Sequence, residues 1–275
     1  MINLRDKGAS IWENWSPPAR SSFVLIVITL AALLPFAGDF GPTSFLNTPI
    51  SSYQAVLVYP IALFVLMGLG LNIVVGKSGL LDLGYVAFFA IGAYTMGIMG
   101  TMTKLNTWEI LPFGIFFAMI AGLLLGLPAL RLRGDYLAIV TLGFGEIVRI
   151  IALNLQVTGG PNGVVGVPTP PPILGQKFEL DDHKAYFWVI LIMILLVIWM
   201  VRRFTVRRPG RAWEAIRQDE DVAALMGVNL LVYKLWSFTI GAAVGGAGGV
   251  IYASKTMFIA PDMFTFNTSI LVLAC

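Results

Sequence analysis

Glu146 and Arg149 stand about ten and thirteen residues into an uncharged, apolar stretch of this 275-residue chain. Spaced i,i+3, they share one face of a helix and can form an ion pair. A charge near the middle of a bilayer costs upward of about 2.5 kcal/mol unless it is paired or hydrated. Two readings follow. The pair lines a water-filled path or meets a zwitterionic substrate, or it merely neutralises itself between packed helices. Asn72 and Asp82 flank a break, Gly76-Lys77-Ser78-Gly79, between two further apolar runs. Asp82 is expected there near the membrane surface, solvated or favoured by a helix N-terminus.

Other chemistry finds no frame. Gly76-Lys77-Ser78 ends like a phosphate-binding loop, but the required upstream glycine falls at Leu71, with Gly70 one residue off. His183, beside Asp181 and Asp182 in a polar loop, has no second histidine to form a metal site. Cys275 is the single cysteine, which excludes an intrachain disulfide and a multi-cysteine metal site. No Ser/His/Asp pattern is recognisable. No catalytic residue, metal or cofactor is expected of this chain, and it reads as no enzyme.

The elements that hold these residues are membrane spans. The chain is 57% hydrophobic and 12% charged, against about a quarter charged in a soluble domain. No cleaved signal is visible, because the first apolar run begins only near Phe23. Taking roughly 20 residues to cross the hydrocarbon, the spans are Ser22–Ala37, Tyr53–Val75, Leu80–Gly100, Ile110–Leu130, Tyr136–Leu155, Ala185–Val201 and Leu231–Ala253. The last run, Thr268–Cys275, is too short to cross alone. About seven spans and the start of an eighth are expected, with more beyond Cys275. The fold class is an all-α polytopic membrane protein: a cytoplasmic segment at 1–21, then a transmembrane domain at 22–275.

Alternate loops carry basic residues very unequally. Arg5, Lys7, Arg20, Lys77, Arg131, Arg133, six arginines between Arg202 and Arg217, and Lys234 stand on one side. Only Lys104, Lys177, Lys184 and Lys255 stand on the other. The excess of basic residues predicts a cytoplasmic N-terminus and a cytoplasmic island at 202–229.

Small residues recur every four positions at Gly114, Ala118, Gly122 and Gly126, and again at Gly241, Gly245 and Gly249. Such faces let helix backbones approach closely. The loop at 156–184 opens with Thr158-Gly159-Gly160-Pro161-Asn162-Gly163, a run suited to tight turns. It is long enough to suggest a function, and Thr158, Asn162, Asp181 and Asp182 are its candidate docking residues for an external partner.

In the island, Ala212, Ala215, Ile216, Val222, Ala223 and Met226 recur at helical spacing, with Glu214, Arg217, Gln218 and Asp221 opposite. Gly227 and Asn229 are suited to end that helix. The apolar face is expected to dock in a groove on a partner. Repulsion between Asp219, Glu220, Asp221 and anionic headgroups argues against a lipid-surface helix.

The stretches 72–96, 134–149, 158–163, 210–229 and 234–249 resemble the permease subunit of bacterial branched-chain amino acid ABC importers, and within that family its LIV-type M-side permease. The resemblance covers roughly Tyr53 to Cys275. It implies a bundle in the bacterial inner membrane with a second homologous permease subunit (a heterodimer being favoured), two cytoplasmic ATP-binding subunits that hold ATP and Mg, and an extracytoplasmic substrate-binding protein. The implied cargo is leucine, isoleucine or valine, with urea, amides or other amino acids as alternatives.

Asp221-Val222-Ala223, three residues, then Gly227 is similar to the family's coupling loop, with Asp for Glu and Val for the first Ala. The expected ATPase-coupling residues are therefore Arg211, Glu214, Arg217, Asp219, Asp221, Ala223 and Gly227. Asn72, Asp82, Tyr94, Glu146 and Arg149 are the candidate path residues. An ion-coupled carrier centred on Glu146 and Arg149, and an assembly protein with no transport of its own, remain the other readings.

Overall fold

The computed structural model describes residues 17–39, 53–103, 105–129, 132, 134–172, 178 and 183–274. The chain divides into two compact units, 1–54 and 55–275. In the first, helix α1 (Pro17–Leu33) runs on into a tighter 3-10 stretch, Leu34–Asp39. Pro17 and Pro18 suit a first turn, whose amide hydrogens have no intrahelical acceptor. Ile26, Leu30 and Leu33 are exposed along it.

The second unit is a helical bundle. Among the described residues, five helices are long and apolar enough to cross a membrane: α2 (Tyr53–Lys77), α4 (Thr107–Pro128, extending to Ala129), α5 (Asp135–Asn154), α6 (His183–Thr205) and α9 (Leu230–Thr256). The first and third predicted spans are represented by shorter apolar helices. The chain's last run forms only Phe266–Ala274 (α10), and Cys275 lies outside the described residues. Helix α2 is not uniform. Tyr59 is extended ahead of Pro60, and the helix widens to π-turns at Leu57–Ala62 and Ile73–Lys77. Proline removes a backbone donor and crowds the preceding turn.

Helix α9 is the axis of the bundle, buried almost without interruption from Gly241 to Ser254. It packs on α4, on α3 (Val86–Met102) and on α2. Glycine at the crossing makes this possible. A Cβ on Gly92 would lie 2.0 Å from the Gly246 carbonyl oxygen, and one on Gly246 would lie 2.5 Å from Ala118 Cβ and 2.8 Å from the Gly114 carbonyl oxygen. Three backbones therefore meet at Gly92, Gly114 and Gly246 with no room for a side chain. Gly122 faces Ala242, Gly126 faces Leu235, Gly241 faces Val74, Gly245 faces Phe88, and Gly249 faces the Phe89 carbonyl. The opposite side of α4 presents Phe113, Phe116, Phe117, Leu124 and Leu127 outward. Lipid tails are as apolar as these side chains, so close approach of small residues, rather than hydrophobicity, selects the packed face.

The third span starts later than its composition suggests. Helix α3 begins at Val86, not Leu80, and residues 78–85 are irregular backbone. Ser78, Leu80, Asp82 and Tyr85 are nonetheless buried. Non-helical backbone at such a place is tolerated when protein covers it and its polar groups are satisfied. Ser78 Oγ donates to the Val74 carbonyl (2.7 Å) and lies 3.0 Å from Ser237 Oγ. Thr141 Oγ1 accepts from the Leu83 amide (3.0 Å), Ser269 Oγ accepts from the Val86 amide (3.3 Å), and the Tyr85 hydroxyl donates to the Gly241 carbonyl (3.0 Å). The apolar run 80–85 reads as span because periodicity cannot see these tertiary acceptors.

At one end of the bundle two short strands distant in sequence, β1 (Val164–Val165) and β2 (Phe258–Ile259), pair antiparallel. At the other end lie the 76–79 break and the charged island.

Candidate functional site

The island is two helices, α7 (Arg208–Gln218) and α8 (Glu220–Leu225), rather than one. Asp219 is extended between them, and its carboxylate accepts from the amides of Asp221 (2.9 Å) and Val222 (3.1 Å). This is an N-cap, which satisfies otherwise orphan donors. Gly227 follows with φ +83°, and Asn229 starts the next helix instead of ending this one, its side chain accepting from the Val232 amide.

The expected apolar docking face is turned the other way. Ala212, Ile216 and Ala223 are buried within the chain, together with Trp213. The outward surface is formed by Arg211, Glu214, Gln218 and Asp221, and by Val222, Leu225 and Met226, which are 54%, 87% and 81% exposed. Helical spacing identified residues sharing a face, but the chain's own spans already cover most of that face.

Three contacts fasten the island inward. Trp213 Nε1 donates to the Tyr233 carbonyl at 2.8 Å, and Arg217 Nη1 donates to the Gly76 carbonyl at 2.5 Å. Lys234 Nζ lies 2.7 Å from Glu220 Oε1, with the lysine side chain 3% exposed. Lys234 and Glu220 carry a role that the sequence reading missed. The available signal is a lysine one turn inside a largely apolar helix, which counting charges by loop registers only as topology. Gly79 (φ +72°) sits against Arg217, so the same arginine clamps both sides of the break.

Beyond the clamp, Asp82 is 1% exposed rather than solvated. Its Oδ1 accepts from the Gly84 amide at 2.9 Å, while Oδ2 has no hydrogen-bond partner among the described residues. Gly84 lies against the Thr141 carbonyl on α5, which closes the segment over the carboxylate. Asn72 is exposed instead, on a groove of about 380 Å³ shared with Gly76, Val272 and Leu273. The two residues flanking the break therefore face different surroundings.

Glu146, Arg149 and Tyr94 gather near the β1–β2 end. Arg149 Nε donates to Glu146 Oε1 at 2.9 Å, and Nη2 reaches the same oxygen. Arg149 Nη1 lies 3.7 Å from Asp262 Oδ1, a residue absent from the sequence-derived set. Asp262 belongs to a 3-10 turn, Pro261–Met263, between β2 and α10. Tyr94 is 6% exposed, packs on Phe264 at 5.7 Å between ring centroids, and its hydroxyl has no hydrogen-bond partner among the described residues. The candidate path residues thus fall into two groups, Asn72 and Asp82 toward the island and Tyr94, Glu146 and Arg149 toward the β1–β2 pair.

In the loop after α5, Thr158 is buried and donates to the carbonyls of Ala152 (2.6 Å) and Leu155 (2.8 Å). It caps the helix C-terminus and is not a surface contact. Gly159 (φ +74°) and Gly163 (φ +70°) allow the turn to fold onto the β1–β2 pair. Asn162 is exposed at its edge; Asp181 and Asp182 lie outside the described residues.

Comparison with known proteins adds the lineage. A family described as "Branched-chain amino acid transport system / permease component" matches residues 55–275. The high-affinity branched-chain amino acid transport system permease protein LivM of Escherichia coli (strain K12) is 38% identical over 273 residues, 92% of this chain and 61% of the relative. LivM of Salmonella typhimurium is 42% identical over the same shares. A second permease protein of that named system, LivH of Salmonella typhimurium, is 29% identical over 73 residues, 26% of this chain and 23% of the relative. This chain thus spans 61% of the length of the two M-type relatives. No solved structure matches it.

Proposed function

The chain belongs to the branched-chain amino acid transport permease family, and from that premise we propose that it is one transmembrane subunit of a bacterial ABC importer for leucine, isoleucine and valine. The observation carrying this reading is the 38–42% identity to two such permeases across 92% of the chain. The chain forms part of the translocation path in the plasma membrane, with its N-terminus and island in the cytoplasm. A second, homologous permease completes the path, two ATP-binding subunits hold ATP and Mg, and an extracytoplasmic binding protein delivers substrate. The heterodimer is favoured because the named system of the Salmonella typhimurium relatives has both an M-type and an H-type permease protein.

The coupling surface in this reading is the tip of α8. Val222, Leu225 and Met226 project outward from helices whose other faces are fastened inward. Exposed apolar side chains ringed by Glu214, Gln218 and Asp221 suit a groove on a cytoplasmic partner. Closure of the ATP-binding subunits pushes on this tip. The push passes along two joints: Glu220 to Lys234 moves the axial helix, and Arg217 to Gly76 moves the break. Packed helices then shift as rigid bodies between outward- and inward-facing arrangements.

Leu225→Asp with Met226→Asp tests the surface without touching a buried contact. Copurification of the ATP-binding subunits should fall at least tenfold while the permease remains folded by thermal-shift assay. Undiminished copurification would remove α8 from the interface.

A further inference from the structure

From Arg149, Asp262, Glu146 and Tyr94 we infer a half-site for the charged head group of an α-amino acid at the β1–β2 end of the bundle, open on the side where α5 lacks cover from its own chain. The inference rests on the transport reading and specifies where cargo is first held. It starts from an imbalance. Both Arg149 donors with a hydrogen bond, Nε and Nη2, converge on one oxygen, Glu146 Oε1. Nη1 points toward Asp262 but stops at 3.7 Å, beyond hydrogen-bond distance. A guanidinium has five N–H donors in a planar fork that matches a carboxylate. Asp262 is 84% exposed at its side chain.

The charges are arranged for a zwitterion. Glu146 balances Arg149, which leaves Asp262 as a net negative group facing out. A substrate carboxylate accepting from Nη1, with its ammonium toward Asp262, would complete that pair, and the Tyr94 hydroxyl, covered in this arrangement, would join once its cover shifts. The Tyr94 hydroxyl is an independent sign of a missing ligand. It is buried, unpartnered, and on a ring held by Phe264, two residues from Asp262. A buried polar group left without a hydrogen bond destabilises the fold, and a bound carboxylate would offset that.

Lipid is an unsuitable cover for this flank. Arg149 and Glu146 remain 25% and 43% exposed at the side chain, and charges at depth face water or protein rather than hydrocarbon. Helix α5 is also the least covered of the five long spans. The open side therefore suits the translocation path, where a second permease would supply contacts to the aliphatic side chain. A self-neutralising pair would not need Asp262 beside it.

The test uses the assembled transporter, with ATP-binding subunits and binding protein, in proteoliposomes supplied with radiolabelled leucine. Exchanging Glu146→Arg with Arg149→Glu preserves an i,i+3 ion pair but moves the positive charge by a helical turn. Leucine uptake should fall at least tenfold with subunit copurification unchanged. Tyr94→Phe is the second variant, since deleting an unpartnered buried hydroxyl should leave thermal stability equal or higher while uptake falls about threefold. Asp262→Asn, on an exposed residue that does not threaten folding, should lower uptake at least fivefold. Wild-type uptake rates in Tyr94→Phe and Asp262→Asn would overturn the half-site while leaving the transport reading intact. No leucine uptake by the wild-type assembly would overturn the transport reading, and this inference with it.

Discussion

The two ends of this bundle use charge in opposite ways. At the island end, Lys234 is buried against Glu220, and Arg217 donates to the Gly76 carbonyl. What remains outward there includes the apolar tip of Leu225 and Met226. At the β1–β2 end, backbone and hydroxyl groups do the fastening, as in the Thr158 cap and the short strand pairing. The charged groups, Glu146, Arg149 and Asp262, stay partly open. A buried pair fixes two elements together, because separating it strands a charge in protein. A half-exposed pair fixes little and can exchange partners with a ligand. One end has its charges locked in contacts within the chain, and the other leaves them half open.

The largest expected effect tests what both ends depend on. Gly92→Val places side-chain atoms where the Gly246 carbonyl now lies, so the three-helix crossing must open. Loss of about 4 kcal/mol or more, in the class of severe core overpacking, should abolish stable expression in the membrane, read by detergent-solubilised yield. A normally expressed, monodisperse variant would contradict the central crossing.

Next comes the island end. Lys234→Met alone leaves Glu220 without its buried partner and should cost about 3 kcal/mol, whereas adding Glu220→Leu should recover most of that loss. Thermal unfolding of the three proteins makes the comparison. The matching change at the β1–β2 end, Glu146→Gln, removes a partly exposed partner and should cost less than about 1 kcal/mol, while leucine uptake changes. If Lys234→Met proved harmless and Glu146→Gln unfolded the protein, the contrast between the ends would be reversed.

The smallest effect belongs to Thr158→Val, which removes a buried hydroxyl donating to the α5 C-terminus. It should cost about 1 kcal/mol with uptake otherwise normal. A selective loss of binding-protein-stimulated uptake at unchanged stability would return Thr158 to a docking role.

Much of this molecule follows from residue order alone. Apolar run length located most spans to within a few residues, since a bilayer demands a continuous hydrophobic stretch. Helices α4, α5 and α9 begin or end close to the expected positions, and the four-residue glycine spacing marked the faces that meet. The i,i+3 spacing also sufficed to join Glu146 and Arg149, because a helix fixes local neighbours.

Tertiary structure decided what periodicity cannot encode. Hydrophobic spacing groups Ala212, Ile216 and Ala223 on one face, but only packing reveals that the chain covers that face itself. The start of α3 depended on Thr141, Ser269 and Gly241 supplying partners to a non-helical segment. Asp262 comes within 3.7 Å of Arg149, and Glu220 pairs with Lys234, across intervals of sequence whose spacing does not name the partner. Burial and pairing are properties of what surrounds a residue, and in a membrane protein apolar surroundings occur inside and outside alike. Sequence therefore determined which residues stand on which helix; the fold decided which charges are locked and which are left exposed.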